Sequence, residues 1–581
     1  MPASSDLESL RHSLAHLLGA AVLELWPGSK LAIGPAIEHG FYYDIDVAGD
    51  ISDEDLPDIE KKMRQLLKTW KTFEGRRVTT QEARELFATN PFKLELIDEI
   101  AGRGDELTLY TSGDFTDLCR GGHVENAKDI DPKAFKLTHL AGAYWRGSEK
   151  NPQLTRIYGV AFATEKELKE HLAMLEEAKK RDHRKLGKEL ELFTIIDEIG
   201  PGLPIFYPKG AILRRIVENF ITELQEKRGY APIWIPHITK GELYKISGHL
   251  DKFDAMYPPM RLKDEADYYL KPMNCPHFMM LYKSVPHSYR ELPVRYTATT
   301  TNYRHEKSGE LSGLTRVRSL TQDDCHVFCA PAHIEQEINL MLDMIDEVYK
   351  IFGFKNFWVR VSKRDPDHKE KYIGDEAIWD ETEDMLSRLI ANRLWPQNIQ
   401  EGEAAFYGPK LDFIFEDVLG REWQLSTVQL DMNLPKRFDL EYTDQNGKKQ
   451  TPIVIHRAIL GATERFLGIL IEHYAGAFPV WLAPVQVAVL ALTDKQNDYA
   501  KNVSEKLSAA GVRVELNVEN ETIGKKIREA ELQKVPYILV VGEKEEQADS
   551  VAVRQRGKGD MGQKKLDAFI KQLTKEISSK A

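Results

Sequence analysis

The sequence predicts a multidomain chain that joins α+β to α/β architecture, and three observations carry that prediction. Its 581 residues exceed one core, since single cores rarely grow beyond about 250–300 residues. Residues 1–163 mix short helices with glycine-punctuated β-rich stretches such as IGPAIEHGFYYDID. The C-terminal part, from about residue 484, instead alternates apolar strands with amphipathic helices, the pattern of a small α/β domain with a largely parallel sheet.

Between these parts lie two further segments. From Thr164 to Phe193 the chain is dense in charged helix formers and almost free of β-branched residues, which predicts a helical connector (164–199). In the segment 200–483, Pro208 precedes a helix whose Ile212, Leu213, Ile216, Val217, Phe220, Ile221 and Leu224 share one stripe. Gly229 ends that helix, and YAPIWIPHI follows as an extended segment whose prolines suit an edge strand.

Composition excludes several classes. No apolar run approaches the roughly 20 residues of a membrane helix, and the N-terminus lacks a secretory signal, so a cytoplasmic protein is expected. Four cysteines make no disulfide framework. A formal charge of −12 argues against indiscriminate nucleic-acid binding but not against a specific RNA, because affinity follows local basic surface.

The chemistry concentrates in RYTATTTNYRHEKSGELSGLTRVRSLTQDDCHVF, residues 295–328. It reads as a strand, a glycine-containing loop and a returning strand. Alternate residues of a strand share a face. Arg304 and Glu306 therefore point one way, Gln322, Asp324 and His326 share a face on the return, and Asp323 and Cys325 take the other. Such a polar floor is expensive to bury without a ligand; the competing reading is a solvated, salt-bridged hairpin.

The pattern YRHE–loop–RVRSLTQDD resembles motif 2 of the class II aminoacyl-tRNA synthetases. The helix and strand ending at Pro236 resemble motif 1, and IHRAILGATERFLGIL resembles motif 3, with Arg465 as its arginine. More narrowly, MNCP (273–276), DDCH (323–326), YGPK (407–410) and WQLSTVQLD (423–431) resemble the threonyl-tRNA synthetase family. The resemblance implies an antiparallel-sheet catalytic core, an N-terminal α+β editing domain and a C-terminal α/β anticodon-binding domain (484–581), with tRNA(Thr), L-threonine and ATP as partners and a homodimer as the assembly. Family members commonly begin with a small β-grasp domain, and this sequence starts directly with the editing helix.

The resemblance also implies roles. Arg304 would hold the ATP α-phosphate and the amino-acid carboxylate, Glu306 the adenine amino group, and Arg316 and Arg465 the outer phosphates, with Mg²⁺ accompanying ATP. Cys275, His326 and His456 occupy the family's zinc-ligand positions, one zinc per chain, although no local spacing reveals them. Asp324 would accept the threonine hydroxyl, and Gln322, Tyr407, Lys410 and Gln424 would complete the pocket. Two positions depart from the family: Leu320 replaces an aromatic residue that stacks on adenine, and Ala462 replaces a serine.

In the N-terminal part, His12 and His16 lie one helical turn apart, while Asp117, Cys119 and His123 sit in DLCRGGHV. By spacing these fit either a zinc site or a hydrolytic pocket. By resemblance they line the pocket that deacylates seryl-tRNA, with His39 and Tyr42 as further candidates. Asn520, Glu545 and Arg554 fall at the family's anticodon-contact positions, and Lys525, Lys526, Arg528, Arg556 and Lys558 could add phosphate contacts. Rival readings are a class II synthetase for proline, serine or alanine, and a degenerate synthetase that only binds RNA.

Overall fold

The computed structural model describes residues 4–580 except residue 264. It divides into two compact units, Met1–Glu176 and Glu177–Ala581. The division falls inside the helix Glu165–Arg181, which with His183–Glu189 makes up the expected helical stretch.

In the first unit, two helices cover one face of a five-stranded antiparallel sheet. Ser4–Leu25 buries Leu10, Leu14, Leu17, Leu18 and Ala21, a spacing that keeps one face apolar. Leu56–Thr69 starts with proline in its first turn and buries Leu56, Ile59, Met63 and Leu67. Both pack on Phe41, Tyr43 and Ile45, alternate residues of the strand Gly40–Asp46. A separate three-stranded sheet, Glu74–Val78, Leu107–Ser112 and Phe115–Leu118, brings residues 117–123 opposite the first helix.

The second unit is built on an eight-stranded sheet. Its order is Ala231–Pro232, Val294–Tyr303, Ser319–Cys329, Ile453–Ala458, Glu422–Asp431, Lys410–Glu416, Phe357–Lys363 and Gln397–Glu401. All neighbours are antiparallel except the two edge pairs. The proline-bearing strand lies at an edge, where a missing N–H breaks no ladder. Cys325, Val327, Leu411, Phe413, Val428 and Ile455 face a core with the helices Pro208–Lys227, Ile334–Ile351 and Thr463–His473. Alternation turns the neighbouring residues to the opposite face, and one cross-strand row there reads Tyr296, His326, His456, Gln429, Lys410.

The C-terminal sheet corrects one expectation. Its order is Val514–Asn517, Val487–Ala491, Tyr537–Val541, Ser550–Gln555, Gly559–Lys565, and only the first three strands are parallel. The last two return as hairpins, because the connections at 543–549 and 556–558 are too short for a crossover.

Gly461 marks where the sheet meets the motif 3 helix. Its φ is +73°, and a Cβ there would lie 2.5 Å from the Leu425 carbonyl oxygen. Gly461→Ala is expected to destabilise this unit by about 1–3 kcal/mol, read as a lowered thermal midpoint of the full chain.

Candidate active site

A cavity of about 450 Å³ opens on the polar face of the large sheet, lined among others by Cys275, Arg304, Glu306, Arg316, Gln322, Asp324, Tyr407, Lys410, Gln424, His456 and Arg465. The strand ends at Tyr303, so Arg304 and Glu306 are not strand residues as expected. They still face the cavity together, because Arg304 N–H bonds the Arg318 carbonyl at 2.9 Å and Glu306 N–H folds back onto the Arg304 carbonyl at 2.9 Å.

The cations differ in how they are held. Arg316 donates to Glu306 Oε2 at 3.0 and 2.8 Å and to Glu310 at 2.8 Å. Arg465 donates to the carbonyls of Thr315 (3.0 Å) and Gln424 (3.3 Å), and Arg304 to that of Pro272 (3.4 Å). Among the described residues neither Arg304 nor Arg465 forms an ion pair with a carboxylate, and burial pushes both guanidiniums below their ordinary pKa. Half-buried cations facing a cavity without a carboxylate partner are costly unless an anion arrives.

At the other end stand Cys275, His326 and His456, all buried, with ligand atoms within 4.8 Å of one another. His456 Nε2 is tied to Asp431 Oδ2 at 2.9 Å, which leaves Nδ1 without a partner. Both ring nitrogens of His326 are buried without a hydrogen bond, and burial keeps that ring neutral. Phe278 stacks on it at 4.1 Å. A cysteine sulfur and two imidazoles with orphaned nitrogens, one anchored by a carboxylate, form a donor set that suits a borderline-soft metal such as zinc. Asp324 sits beside this set and accepts from Asn274 Nδ2 at 2.9 Å.

Residues between Glu8 and Gly122 line a second cavity, of about 910 Å³. His12, His16, Cys119 and His123 place their donor atoms within 4.8 Å. Unlike the first cluster, these bond one another: Cys119 Sγ lies 3.5 Å from His12 Nε2 and 3.3 Å from His123 Nε2. Gly121 (φ +93°) and Gly122 (φ +83°) keep backbone close to the rings. Asp117 is held by Lys93 Nζ at 2.5 Å, by the Tyr43 hydroxyl and by its own neighbour's N–H.

Comparison with known proteins decides between the rivals. Residues 259–474 match the family described as tRNA synthetase class II core domain (G, H, P, S and T). Residues 486–576 match an anticodon binding domain, and residues 107–158 the second additional domain of threonyl and alanyl tRNA synthetases. The threonine–tRNA ligase of Rubrobacter xylanophilus is 52% identical over 577 residues, 98% of this chain and 89% of that protein. The chain belongs to the threonine–tRNA ligase family. The Thermus thermophilus ligase is 49% identical over 582 residues, 97% of this chain and 88% of its own. A crystal structure of the RNA binding domain of threonyl-tRNA synthetase from Cryptosporidium parvum superposes with a TM-score of 0.65 at 36% identity, covering 68% of this chain and 98% of that one. A prolyl-tRNA synthetase from the same organism shares only the fold, at 17% identity over 68% of this chain and 75% of its own, with a TM-score of 0.52.

Against that family background, several residues sit differently from expectation. Tyr42 points away from the N-terminal cavity, with Arg156 stacked 3.9 Å from its ring, and strand alternation brings Tyr43 in instead. His39 stacks against Phe162 and His171, outside the cavity lining. Lys526 is buried, donating to the Ala491 carbonyl at 3.0 Å, and Arg556 binds the carbonyls of Lys534, Ala477 and Phe478. Lys526 fastens the C-terminal domain internally, and Arg556 ties it to the segment that precedes it. Asn520 lies in the exposed loop after Val514–Asn517, Glu545 turns back to accept Gly542 N–H at 3.0 Å, and Arg554 faces Glu531 at 3.8 Å. The three share no contact.

Other site residues escaped the sequence reading. Lys93, Tyr43, Lys271, Asn274, Gln429 and Asp431 are buried at or behind the two sites. Asn274 and Asp431 lie inside the quoted motifs and could have been found there. Lys93 could not, because its helix Pro91–Arg103 reads as ordinary and amphipathic.

Burial pushes His12, His16 and His123 down, His123 to about 2, and pushes the Cys119 thiol up to about 11. All three rings are thus neutral in the fold at pH 7. Stability carried by a depressed histidine is complete above its ordinary value of 6.5 and is lost as pH falls, because the unfolded ring takes its proton first. The protection factors of the Ser4–Leu25 helix amides in the full chain, with exchange rates corrected for the intrinsic pH dependence, should therefore fall between pH 6.5 and 4, and His123→Asn should flatten that dependence.

Proposed function

We propose that the chain activates L-threonine with ATP and Mg²⁺, transfers it to tRNA(Thr), and hydrolyses seryl-tRNA(Thr) in the N-terminal cavity. One observation carries the first part: a buried Cys–His–His set with orphaned ring nitrogens shares a cavity with two uncompensated arginines. Cys275, His326 and His456 would hold one zinc ion, which when bound supplies open coordination positions for the amino and hydroxyl groups of threonine.

The chain's own side chains do the remaining work. Asp324, fixed by Asn274, accepts the substrate hydroxyl. Valine has nearly the same shape but no hydroxyl, so it would leave that buried carboxylate unpaired, a penalty far larger than an apolar pocket imposes on an isostere. Arg304 bridges the substrate carboxylate and the α-phosphate, where negative charge crowds one centre, and Arg316 and Arg465 hold the outer phosphates. Glu306 contacts Arg316 through Oε2 and accepts the adenine amino group. Gln322, Tyr407, Lys410 and Gln424 orient the substrate and adenylate. No protein nucleophile is needed, since the carboxylate attacks the α-phosphorus and pyrophosphate leaves.

Serine also carries the hydroxyl and is smaller, so a second, hydrolytic site is required. Neutral His12, His16 and His123 can accept or relay a proton from water, and the Lys93–Asp117 pair can bind the amino and carbonyl groups of a seryl ester. Asn520, Glu545 and Arg554 read the anticodon, and Lys525, Arg528 and Lys558 remain as exposed phosphate contacts. The edge strand Ala231–Pro232 and Trp234, 80% exposed, support a homodimer through this edge. No described helix is long and apolar enough to cross a membrane, in keeping with a cytoplasmic enzyme.

Two measurements test this. Cys275→Ala should lose bound zinc and at least about 100-fold in threonine-dependent ATP–pyrophosphate exchange; full zinc with full exchange sinks the activation site. Lys93→Ala should charge threonine normally while accumulating seryl-tRNA, and unchanged fidelity of that variant refutes the editing pocket.

A further inference from the structure

His183 opens the short helix His183–Glu189 at the start of the second unit, and its side chain is almost wholly buried. No role above uses it. Its Nε2 lies 3.0 Å from the Leu314 backbone N–H, so that nitrogen accepts. The proton then resides on Nδ1, which donates to Glu472 Oε1 at 2.6 Å. The His183 backbone N–H reaches the same oxygen at 3.1 Å, while Arg421 takes the other. Asp182, His183 and Glu472 have the makings of a metal cluster. Both ring nitrogens are already engaged, however, and Asp182 caps Arg184 N–H at 2.8 Å. The arrangement is a hydrogen-bonded strut.

What the strut joins gives it a purpose. Leu314 belongs to the loop between the two motif 2 strands, closed by reciprocal backbone bonds between Ser312 and Arg316 at 3.1 and 3.2 Å. Glu472 lies near the end of Thr463–His473, the helix that carries Arg465. Arg465 in turn donates to the Thr315 carbonyl at 3.0 Å. The loop presses close to the ring: a Cβ on Gly313 would stand 2.1 Å from His183 Nε2, and one on Gly468 would stand 3.3 Å from Leu314 Cβ. The His183 ring, accepting at Nε2 and donating at Nδ1, therefore fixes the loop of Arg316 against the helix of Arg465.

We propose that His183 is a positioning residue for ATP, a connector side chain that sets Arg316 and Arg465 at the spacing the phosphates require. The proposal rests on the reading of those two arginines as phosphate contacts. It places part of the nucleotide site's preorganisation in the connector, upstream of the three signature motifs.

The test uses the full-length, zinc-loaded chain in ATP–pyrophosphate exchange, varying ATP and threonine separately. His183→Ala should raise the KM for ATP roughly five- to tenfold, the worth of about one buried hydrogen bond, with the KM for threonine and the zinc content unchanged. Added imidazole should restore much of the ATP affinity. His183→Phe, which fills the volume but cannot accept from Leu314, should keep the defect and resist imidazole, and it serves where the alanine variant folds poorly. An unchanged KM for ATP in folded His183→Ala and His183→Phe overturns the proposal, as does an equal rise for both substrates without imidazole rescue. Arg465→Ala run in parallel separates the levels: loss of ATP affinity there, with none at His183, overturns the strut alone. Retention of ATP affinity in Arg465→Ala overturns the phosphate assignment and the strut with it.

Discussion

Antiparallel register in the large sheet is the constraint on which the second unit depends. Because side chains alternate strictly along each strand, a single register decides two things at once. It turns Cys325, Val327, Val428 and Ile455 into the core, and it sets His326, His456, Gln429 and Lys410 side by side on the opposite face. A slip of one residue in Ser319–Cys329 or Ile453–Ala458 would turn His326 or His456 into the core and an apolar neighbour into the cavity. The packing that stabilises the sheet is thus the same packing that specifies the site.

Around this floor the site is organised by unmet demand. At one end, half-buried guanidiniums lack a carboxylate partner; at the other, buried imidazole nitrogens lack partners. Such groups cost free energy in the unliganded fold, and the large apolar core beneath them bears that cost. The N-terminal cavity works differently. Its Cys119 bonds His12 and His123, His16 packs edge-on against those rings, and its buried charge, Lys93 against Asp117, is already paired. One site gathers unpartnered cations and ring nitrogens, while the other sets a cluster of depressed histidines beside an ion pair, a contrast that fits adenylate chemistry in the first and ester hydrolysis in the second.

The face arithmetic of residues 319–329 was fully legible in the chain, because period-2 alternation needs only local information. Arg304 and Glu306 reached the cavity by another route: the strand had ended, and a tight backbone turn aligned them. Tyr42, a candidate by resemblance, is turned outward by strand alternation, and Tyr43 is the residue that enters the cavity. Lysines and arginines of the C-terminal domain show the limit of composition. Lys526 and Arg556 read as surface cations, yet they fasten backbone carbonyls in the interior, since nothing local says whether a long side chain snorkels outward or folds inward.

By itself, then, the order of residues determined the elements, the motif set and most of the side chains that bear chemistry, because helix and strand periodicity and turn residues act over a few positions. Tertiary structure alone decided which distant donors meet. Cys275, His326 and His456, or Lys93 and Asp117, or His183 and Leu314, are far apart along the chain and converge only through sheet register and helix packing. Those are cooperative, long-range choices, and no local pattern encodes them.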